Sequence, residues 1–347
     1  MSGAENVPER ICIVMMSAVG DAVHALPVIN ALKRANPTTK ITWVLQPGPA
    51  SLVRGHRSVD EIIIFDRQRG WRAFADVRSQ LAERKFDLVL DLQVYFKAGI
   101  VTAFTKSPVK LGFDRARARD FNWLFTNRKI PRHPVQHVQD QYFEFLSALG
   151  VSAEPVEWDL GPWASERAWQ REFIASTERP IASIVIATSK PEKDWIPERW
   201  AEVCDVLHDQ YGMQVVLVGG TSDRERAAER EVMRRSTRRP RSELGSGLRK
   251  LVSILDASAL VISPDTGPLH MSVALDRPVI SLMGYTNPKR TGPYRKFHDL
   301  MIDAYGDPRE NYPISMENRA GRMVRIQTKD VLDKIAHWHR QYAPAIA

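Results

Sequence analysis

The feature that most constrains this chain is a rhythm. Short runs of apolar and β-branched residues alternate with longer stretches that carry a helical period. Arg10–Met16 (RICIVMM), Lys40–Leu45, Glu61–Phe65 and Phe86–Leu92 are apolar at nearly every position, which fits strands buried on both faces. Between and after them the period predicts helices over Asp21–Arg34, Ala73–Arg84, Ala98–Thr105 and Val135–Leu149. The second half repeats the pattern. Strands are expected at Pro180–Ala187, Gln214–Val218, Ala259–Ile262 and Val279–Leu282. Helices are expected at Pro197–Tyr211, Ser222–Met233, Leu248–Leu255 and Gly267–Leu275, with a closing amphipathic helix at Thr328–Tyr342. Such alternation predicts an α/β fold with doubly wound parallel sheets built from βαβ units. A chain of 347 residues suits two domains of roughly 150–200 residues each. We place them at residues 1–157 and 158–347, with the break near Val156–Trp163, where Pro155, Gly161 and Pro162 interrupt the pattern.

Composition narrows the function classes. Cys12 and Cys204 both sit in apolar runs and read as buried thiols, with neither a disulfide framework nor a metal site between them. No run of about 18 apolar residues is present, and the first ten residues, with Glu5 and Glu9, lack the order of a signal peptide. The expectation is a cytoplasmic protein. Lys and Arg number 49 against 41 Asp and Glu, a net charge of +8 that suits an anionic partner: nucleic acid, membrane surface or phosphorylated substrate. The excess is concentrated in Lys106–Arg132, where eight basic residues face only Asp114 and Asp120.

In open α/β sheets ligands gather at the carboxyl ends of the strands. Three clusters lie there. The first is Ser17–His24 (SAVGDAVH), after the first strand. Gly20 permits a tight turn, and the Asp21 carboxylate at the start of a helix can either cap it or deprotonate an attacking hydroxyl. His24, one turn on, reads as packing. The second is Ala187–Trp195 (ATSKPEKDW), where Thr188, Ser189, Lys190 and Lys193 supply donors and positive charge fit for a phosphate, or else form a solvated charged loop. The third is Ser263–His270 (SPDTGPLH). There Gly267 allows close backbone approach, Pro268 suits a first helical turn and free N–H groups attract anions, while Asp265 either caps the helix or meets a sugar hydroxyl. A GxGxxG after a strand, a GxxxxGK(S/T) and an HExxH are all absent from the sequence, which argues against a nicotinamide enzyme, a P-loop NTPase and a zinc hydrolase.

With these clusters in place the sequence resembles glycosyltransferase family 9, the bacterial lipopolysaccharide heptosyltransferases, and within it most the branch that adds the first heptose. The resemblance is carried by ICIVMMSAVGDAVHALPVINALKRANP, FDLVLDLQVYFKAG, KLGFDRARARDFNWLFTNRK, KDWIPERW and SPDTGPLHMSVALDRPVISLMG, spread over residues 11–284. It departs after Gln93, where Val94 and Tyr95 stand in place of the usual glycine, and at Ile196, which separates Trp195 from Pro197.

The resemblance implies a GT-B fold, two Rossmann-like domains facing a central cleft, with an inverting, metal-independent transfer. No cofactor is implied. The donor would be ADP-heptose and the acceptor the Kdo sugar of the lipid A anchor. The N-terminal domain would carry acceptor and base, and the C-terminal domain the donor. By that likeness Asp21 falls on the general base, and Lys193 assists at the diphosphate with Thr188 and Ser189. Asp265, Thr266, Gly267 and Pro268, with His270 beside them, fall on the donor-binding turn, and Asp223 near the ribose. Ser17, Gly20, Arg69, Arg72, Gln93, Lys97 and Arg119 fall at the acceptor, where arginine's planar fork suits carboxylates and phosphates. A lipid-linked acceptor implies a peripheral visit to the cytoplasmic face of the inner membrane, with basic residues of the first half toward the anionic surface. Nucleic acid is not an expected partner. The rivals are a family member using another nucleotide sugar or core position, and a catalytically silent glycolipid-binding protein of the same fold.

Overall fold

The computed structural model describes residues 7–343; Glu5, weighed in the targeting argument, lies outside the described residues. The chain divides into two compact units. One takes in the residues up to Pro134 together with Val138–Asp159, and the other Val135–His137 together with Leu160 onward.

The first unit runs β1 (Arg10–Val14), α1 (Val19–Ala35), β2 (Lys40–Leu45), α2 (Pro47–Val53), β3 (Glu61–Ile64), α3 (Arg72–Ala82), β4 (Leu88–Asp91), α4 (Phe96–Phe104), β5 (Val109–Gly112), β6 (Arg128–Lys129) and α5 (Val138–Ala148). Its six strands are all parallel, in the order β3-β2-β1-β4-β5-β6. The period of two in β1 explains the layering. Cys12, Val14 and Met16 enter one cluster with Val77 and Leu81 of α3 and Ala98 and Val101 of α4. Ile11, Ile13 and Met15, pointing the other way, are buried as well.

The second unit runs α6 (Arg167–Ala175), β7 (Ile181–Val185), α7 (Pro197–Tyr211), β8 (Gln214–Val218), α8 (Asp223–Arg235), β9 (Arg241–Ser242), α9 (Leu248–Ala257), β10 (Ser258–Pro264), α10 (Gly267–Ala274), β11 (Val279–Met283), α11 (Pro288–Thr291), β12 (Ile302–Asp303) and α12 (Thr328–Gln341). Its sheet, also fully parallel, has the order β12-β11-β10-β7-β8-β9. Read from its first strand, this is the same winding as in the first unit. In each, the chain steps outward for three strands, returns to the other side of its first strand, and steps outward again. The reversals fall between β1 and β4 and between β7 and β10. In doubly wound sheets such a switch point opens a crevice at the carboxyl ends of the two strands.

Three corrections to the sequence reading concern elements. The helix after β1 begins at Val19, so Asp21 is its third residue rather than its cap. Helices α2, α6 and the single-turn α11 were not expected; α2 opens on Pro47-Gly48-Pro49, which reads as a turn. Strand β5, four residues inside the basic stretch, was not expected either, and the edge strands β6, β9 and β12 are two residues long and carry no pattern to find.

Candidate active site

In the first unit the loops leaving β1 and β4 are tied together by one side chain. Gln93 accepts from the Met16 N–H at 3.0 Å and donates to the Ser17 carbonyl at 2.6 Å. It therefore spans the switch point and fixes the approach to α1. There Asp21 Oδ2 accepts the Ala18 N–H at 2.8 Å, satisfying a donor that no cap side chain reaches. The Tyr142 hydroxyl, from α5, donates to Oδ1 at 3.4 Å. Asp21 is only partly buried, so a hydroxyl of an incoming molecule can reach its carboxylate. Capping and proton transfer are thus not rivals here, because the two oxygens have different neighbours. His24 is buried and bonded to Gln139 of α5 at 3.0 Å, which Gln139 returns at the His24 carbonyl. It packs α1 on α5.

Behind Gln93 lies a residue that the sequence reading passed over. Asp91 is fully buried at the end of β4, where its carboxylate accepts from Thr102 Oγ1 at 3.0 Å, Asn122 Nδ2 at 2.9 Å and the Gln93 N–H at 3.2 Å. Burial pushes its pKa up to about 7, against the opposing pull of the Asn122, Thr102 and Gln93 hydrogen bonds. The folded protein thus keeps this proton after the unfolded chain, with an ordinary aspartate near pH 4, has released it. Stability should fall as pH rises from about 4 to about 7 and then level off. Asp91→Asn, which keeps an acceptor for Thr102 and Asn122, is expected to remove that slope. Melting temperatures of the two proteins between pH 5 and 8 should diverge with rising pH in favour of the variant; parallel curves would show that Asp91 ionises normally.

The remaining acceptor candidates occupy the same carboxyl edge of the first sheet. Lys97 is the second residue of α4, exposed and without a hydrogen bond or ion pair among the described residues. Arg119, also exposed, is anchored by its N–H on the Val94 carbonyl at 2.7 Å. Arg69 pairs with Asp76 at 2.5 Å, and Arg72 lies 5.9 Å from the centre of the Trp71 ring. Gly20 is the second residue of α1.

The second unit holds the denser constellation. The loop after β7 carries Lys193 to the loop after β10, where its ammonium donates to the Asp265 carboxylate at 2.7 Å and to the Asp265 carbonyl at 3.1 Å. Asp265 is 5% exposed and accepts from Thr291 Oγ1 at 3.3 Å and from the Thr286 hydroxyl, with His270 Nε2 3.6 Å from its other oxygen. Burial opposes the charge on this carboxyl. Lys193 and His270 overcome that opposition and hold it well below the usual carboxylate range. The stability this carboxylate supplies is therefore present above pH 4 and lost only in strong acid. Asp265 does not cap α10. No side chain does: Thr266 is the N-cap without a side-chain bond, and Gly267 and Pro268 form the first turn. A helix start with unfilled donors beside a lysine is a ready anion site.

Not every candidate points outward. The Thr188 N–H donates to Asp194 at 2.6 Å and its hydroxyl to the Lys190 carbonyl at 2.7 Å, so Thr188 shapes the loop rather than offering a donor. Asp194 is held in turn by Arg224 of α8 at 2.7 Å. Ser189 is exposed, with no partner among the described residues. Asp223 opens α8 after the Gly219-Gly220 turn and is likewise exposed and unpartnered among the described residues. The sequence reading missed Tyr142, Thr286 and Thr291. The last two sit in and after a third post-strand loop, behind β11, and the strand-end rule applied to that loop would have found Thr286. Among the described residues no group of three or more His, Cys, Asp or Glu has an arrangement able to hold a metal ion, and no helix is long and apolar enough to cross a membrane.

Comparison with known proteins adds to this geometry. The family model of glycosyltransferase family 9 (heptosyltransferase) matches residues 74–313. The chain is 30% identical over 340 residues to the lipopolysaccharide core heptosyltransferase OpsX of Haemophilus influenzae, covering 95% of this chain and 97% of the relative. It is 28% identical to lipopolysaccharide heptosyltransferase 1 of Escherichia coli K12, over 94% of this chain and 99% of that protein. Among solved structures it matches the E. coli heptosyltransferase WaaC with ADP at a TM-score of 0.73 and 26% identity, over 96% and 99% of the two chains. WaaC with ADP-2-deoxy-2-fluoro heptose gives a TM-score of 0.72 at 25% identity, over 94% of this chain and 99% of that one. A family 9 glycosyl transferase from Veillonella parvula, 22% identical, gives 0.79 over 95% and 96% and shows the same fold.

Proposed function

The chain belongs to glycosyltransferase family 9 and is a heptosyltransferase of the lipopolysaccharide core with the GT-B fold; from that premise we propose that it moves heptose from ADP-heptose to a Kdo sugar on a lipid A anchor. The observation that carries the donor half is the Lys193 ammonium, fixed against Asp265 beside the uncapped first turn of α10. Positive charge and backbone donors converge there, as a departing diphosphate requires. The relatives solved with ADP and with a fluorinated ADP-heptose support this choice of nucleotide.

The reaction we propose is a single displacement. The Asp21 carboxylate takes the proton of an acceptor hydroxyl as its oxygen bonds to the anomeric carbon. The bond from that carbon to the diphosphate oxygen breaks, and ADP leaves with the electron pair from the opposite face, inverting the centre. Lys193 and the N–H groups of Thr266 and Gly267 take up charge growing on the diphosphate, a task for which many transferases use a metal ion. In this reading Ser189 and Asp223, exposed in the loops after β7 and β8, meet the nucleotide, and Thr188 and His270 hold the loop and the carboxylate in shape. On the acceptor side Lys97 and Arg119 meet anionic groups, with Arg69 and Arg72 beside them. Ser17, Gly20 and Gln93 fix the backbone under Asp21. With a lipid-anchored acceptor the enzyme works peripherally at the cytoplasmic face of the inner membrane.

A nucleotide screen tests the donor assignment. A ligand that binds only the folded state raises its stability, by about 2.7 kcal/mol at a hundredfold excess over Kd. ADP and ADP-heptose should raise the melting temperature, and UDP and GDP at equal concentration should not. A shift with UDP alone, or with no nucleotide, would remove ADP-heptose as donor.

A further inference from the structure

The carboxyl edge of the first sheet, where the acceptor candidates lie, carries large apolar side chains that stay exposed among the described residues. Trp71 is 75% exposed, Phe121 66% and Leu124 59%, with Tyr95 and Phe96 also exposed. They come from three segments that the fold brings side by side. Trp71 is the N-cap of α3 and Tyr95 the N-cap of α4, two helices packed in one cluster on the same face of the sheet. Phe121 precedes the 3₁₀ turn Asn122–Phe125, which lies on α4. Phe96 and Phe125 meet edge to face at 5.4 Å, Gly99 leaves room for the Phe125 ring, and Asn122 Nδ2 donates to the Tyr95 carbonyl at 3.1 Å.

Two facts set these side chains apart from ordinary exposed hydrophobics. First, cap positions favour Ser, Thr, Asp and Asn, so nothing in the helix starts calls for aromatic rings. Second, Asp120 and Phe121 both adopt left-handed backbone, φ 50° and 61°, an uncommon state for residues other than glycine, and the Phe121 ring stays in solvent at the end of it. The surrounding charge is of one main sign. Arg67, Arg72, Lys97, Arg115 and Arg119 are exposed on the same segments. The opposing carboxylates there are Asp66, which caps its own turn, Asp76 and Asp114, which pair with Arg69 and Arg117, and exposed Asp120. Trp71 and Tyr95 carry a polar tip on an apolar ring and Phe96, Phe121 and Leu124 are wholly apolar; set among arginines and lysines, the five match the interface of an anionic bilayer.

We propose that Trp71, Tyr95, Phe96, Phe121 and Leu124 form a docking surface by which the first unit seats itself in the headgroup region of an anionic membrane. This deepens the reading of a lipid-anchored acceptor, and rests on it only for its biological purpose. Binding is a property of the surface itself and needs no sugar transfer.

The test uses the purified full chain and sedimentation with vesicles that contain no acceptor. The protein should partition onto phosphatidylcholine vesicles enriched in phosphatidylglycerol, weakly onto phosphatidylcholine alone, and less as salt rises. The triple variant Trp71→Ser, Phe121→Ser, Leu124→Ser should lose about tenfold or more of that partition. It should melt with the parent and keep the parent's rate on a water-soluble, delipidated Kdo acceptor. If the triple variant melts early, Phe121→Ser alone, at the most outlying ring, carries the comparison and should still weaken partition. The proposal is overturned if the parent ignores anionic vesicles, or if the variants bind them as the parent does. It is equally overturned if a correctly folded variant loses rate on the soluble acceptor while binding vesicles normally, which would assign the rings to stacking on the sugar. A failure of the transfer reading looks different: no turnover on any acceptor, with vesicle binding unchanged.

Discussion

Asp21→Asn is expected to lower turnover by about 10²–10⁴-fold, the range a positioned general base contributes, while leaving ADP-heptose affinity unchanged. The substitution is close to isosteric. An asparagine oxygen still accepts the Ala18 N–H that Asp21 Oδ2 accepts at 2.8 Å, and its amide donates to the Tyr142 hydroxyl, which turns to accept. The start of α1 and the Gln93 bridge beside it are preserved. What disappears is the capacity to take a proton. Steady-state rates, with donor affinity from thermal shift, check this: kcat should collapse at unchanged donor binding and unchanged melting temperature. A variant turning over at the parent's rate would remove Asp21 from the chemistry and leave it a helix-start residue.

Lys193→Met should be costly in a different way. The ammonium and the Asp265 carboxylate form a mostly buried pair, the side chains 17% and 6% exposed. Removing one partner strands the other, a loss of about 3–5 kcal/mol in such settings, tempered here by His270, Thr286 and Thr291. At roughly 2–4 °C per kcal/mol for a unit of this size, the melting temperature should fall by several degrees. Donor affinity should fall with it, since the diphosphate loses its cation. Combining Lys193→Met with Asp265→Asn separates the two effects. Stability should largely return because no buried charge is stranded, and donor binding should not. If the double variant melted no higher than the single one, the pair would not be energetically coupled. If it bound donor normally, Lys193 would have no part in holding the diphosphate.

The pattern of what the sequence disclosed follows from where each signal resides. Helix α7 and strand β8 have the bounds read from periodicity, because a long amphipathic run and an unbroken Val/Leu run are local properties. The loops at both switch points were legible for the same reason, since the strands that end in them are unmistakable. The edge strands were not, for a pair such as Arg128–Lys129 becomes a strand only by lying beside Leu111 and Gly112. The candidate site follows the same division. Asp21, Lys193 and Asp265 sit at strand ends and are found by position. Tyr142 reaches Asp21 from 121 residues away, and Thr286 and Thr291 reach Asp265 from 21 and 26. Thr188 has the right residue type in the right loop, yet its hydroxyl and amide are spent on that loop, which only coordinates reveal.

The central claim is that this chain joins a heptose to a Kdo-bearing lipid A acceptor at the expense of ADP-heptose. Mass spectrometry of that acceptor after incubation with donor and purified protein, with ADP quantified in the same sample, tests it most directly. The account predicts a gain of one heptosyl unit per acceptor, with one ADP released for each, and neither when Asp21→Asn replaces the parent. An acceptor of unchanged mass beside a folded, ADP-binding parent protein would contradict it.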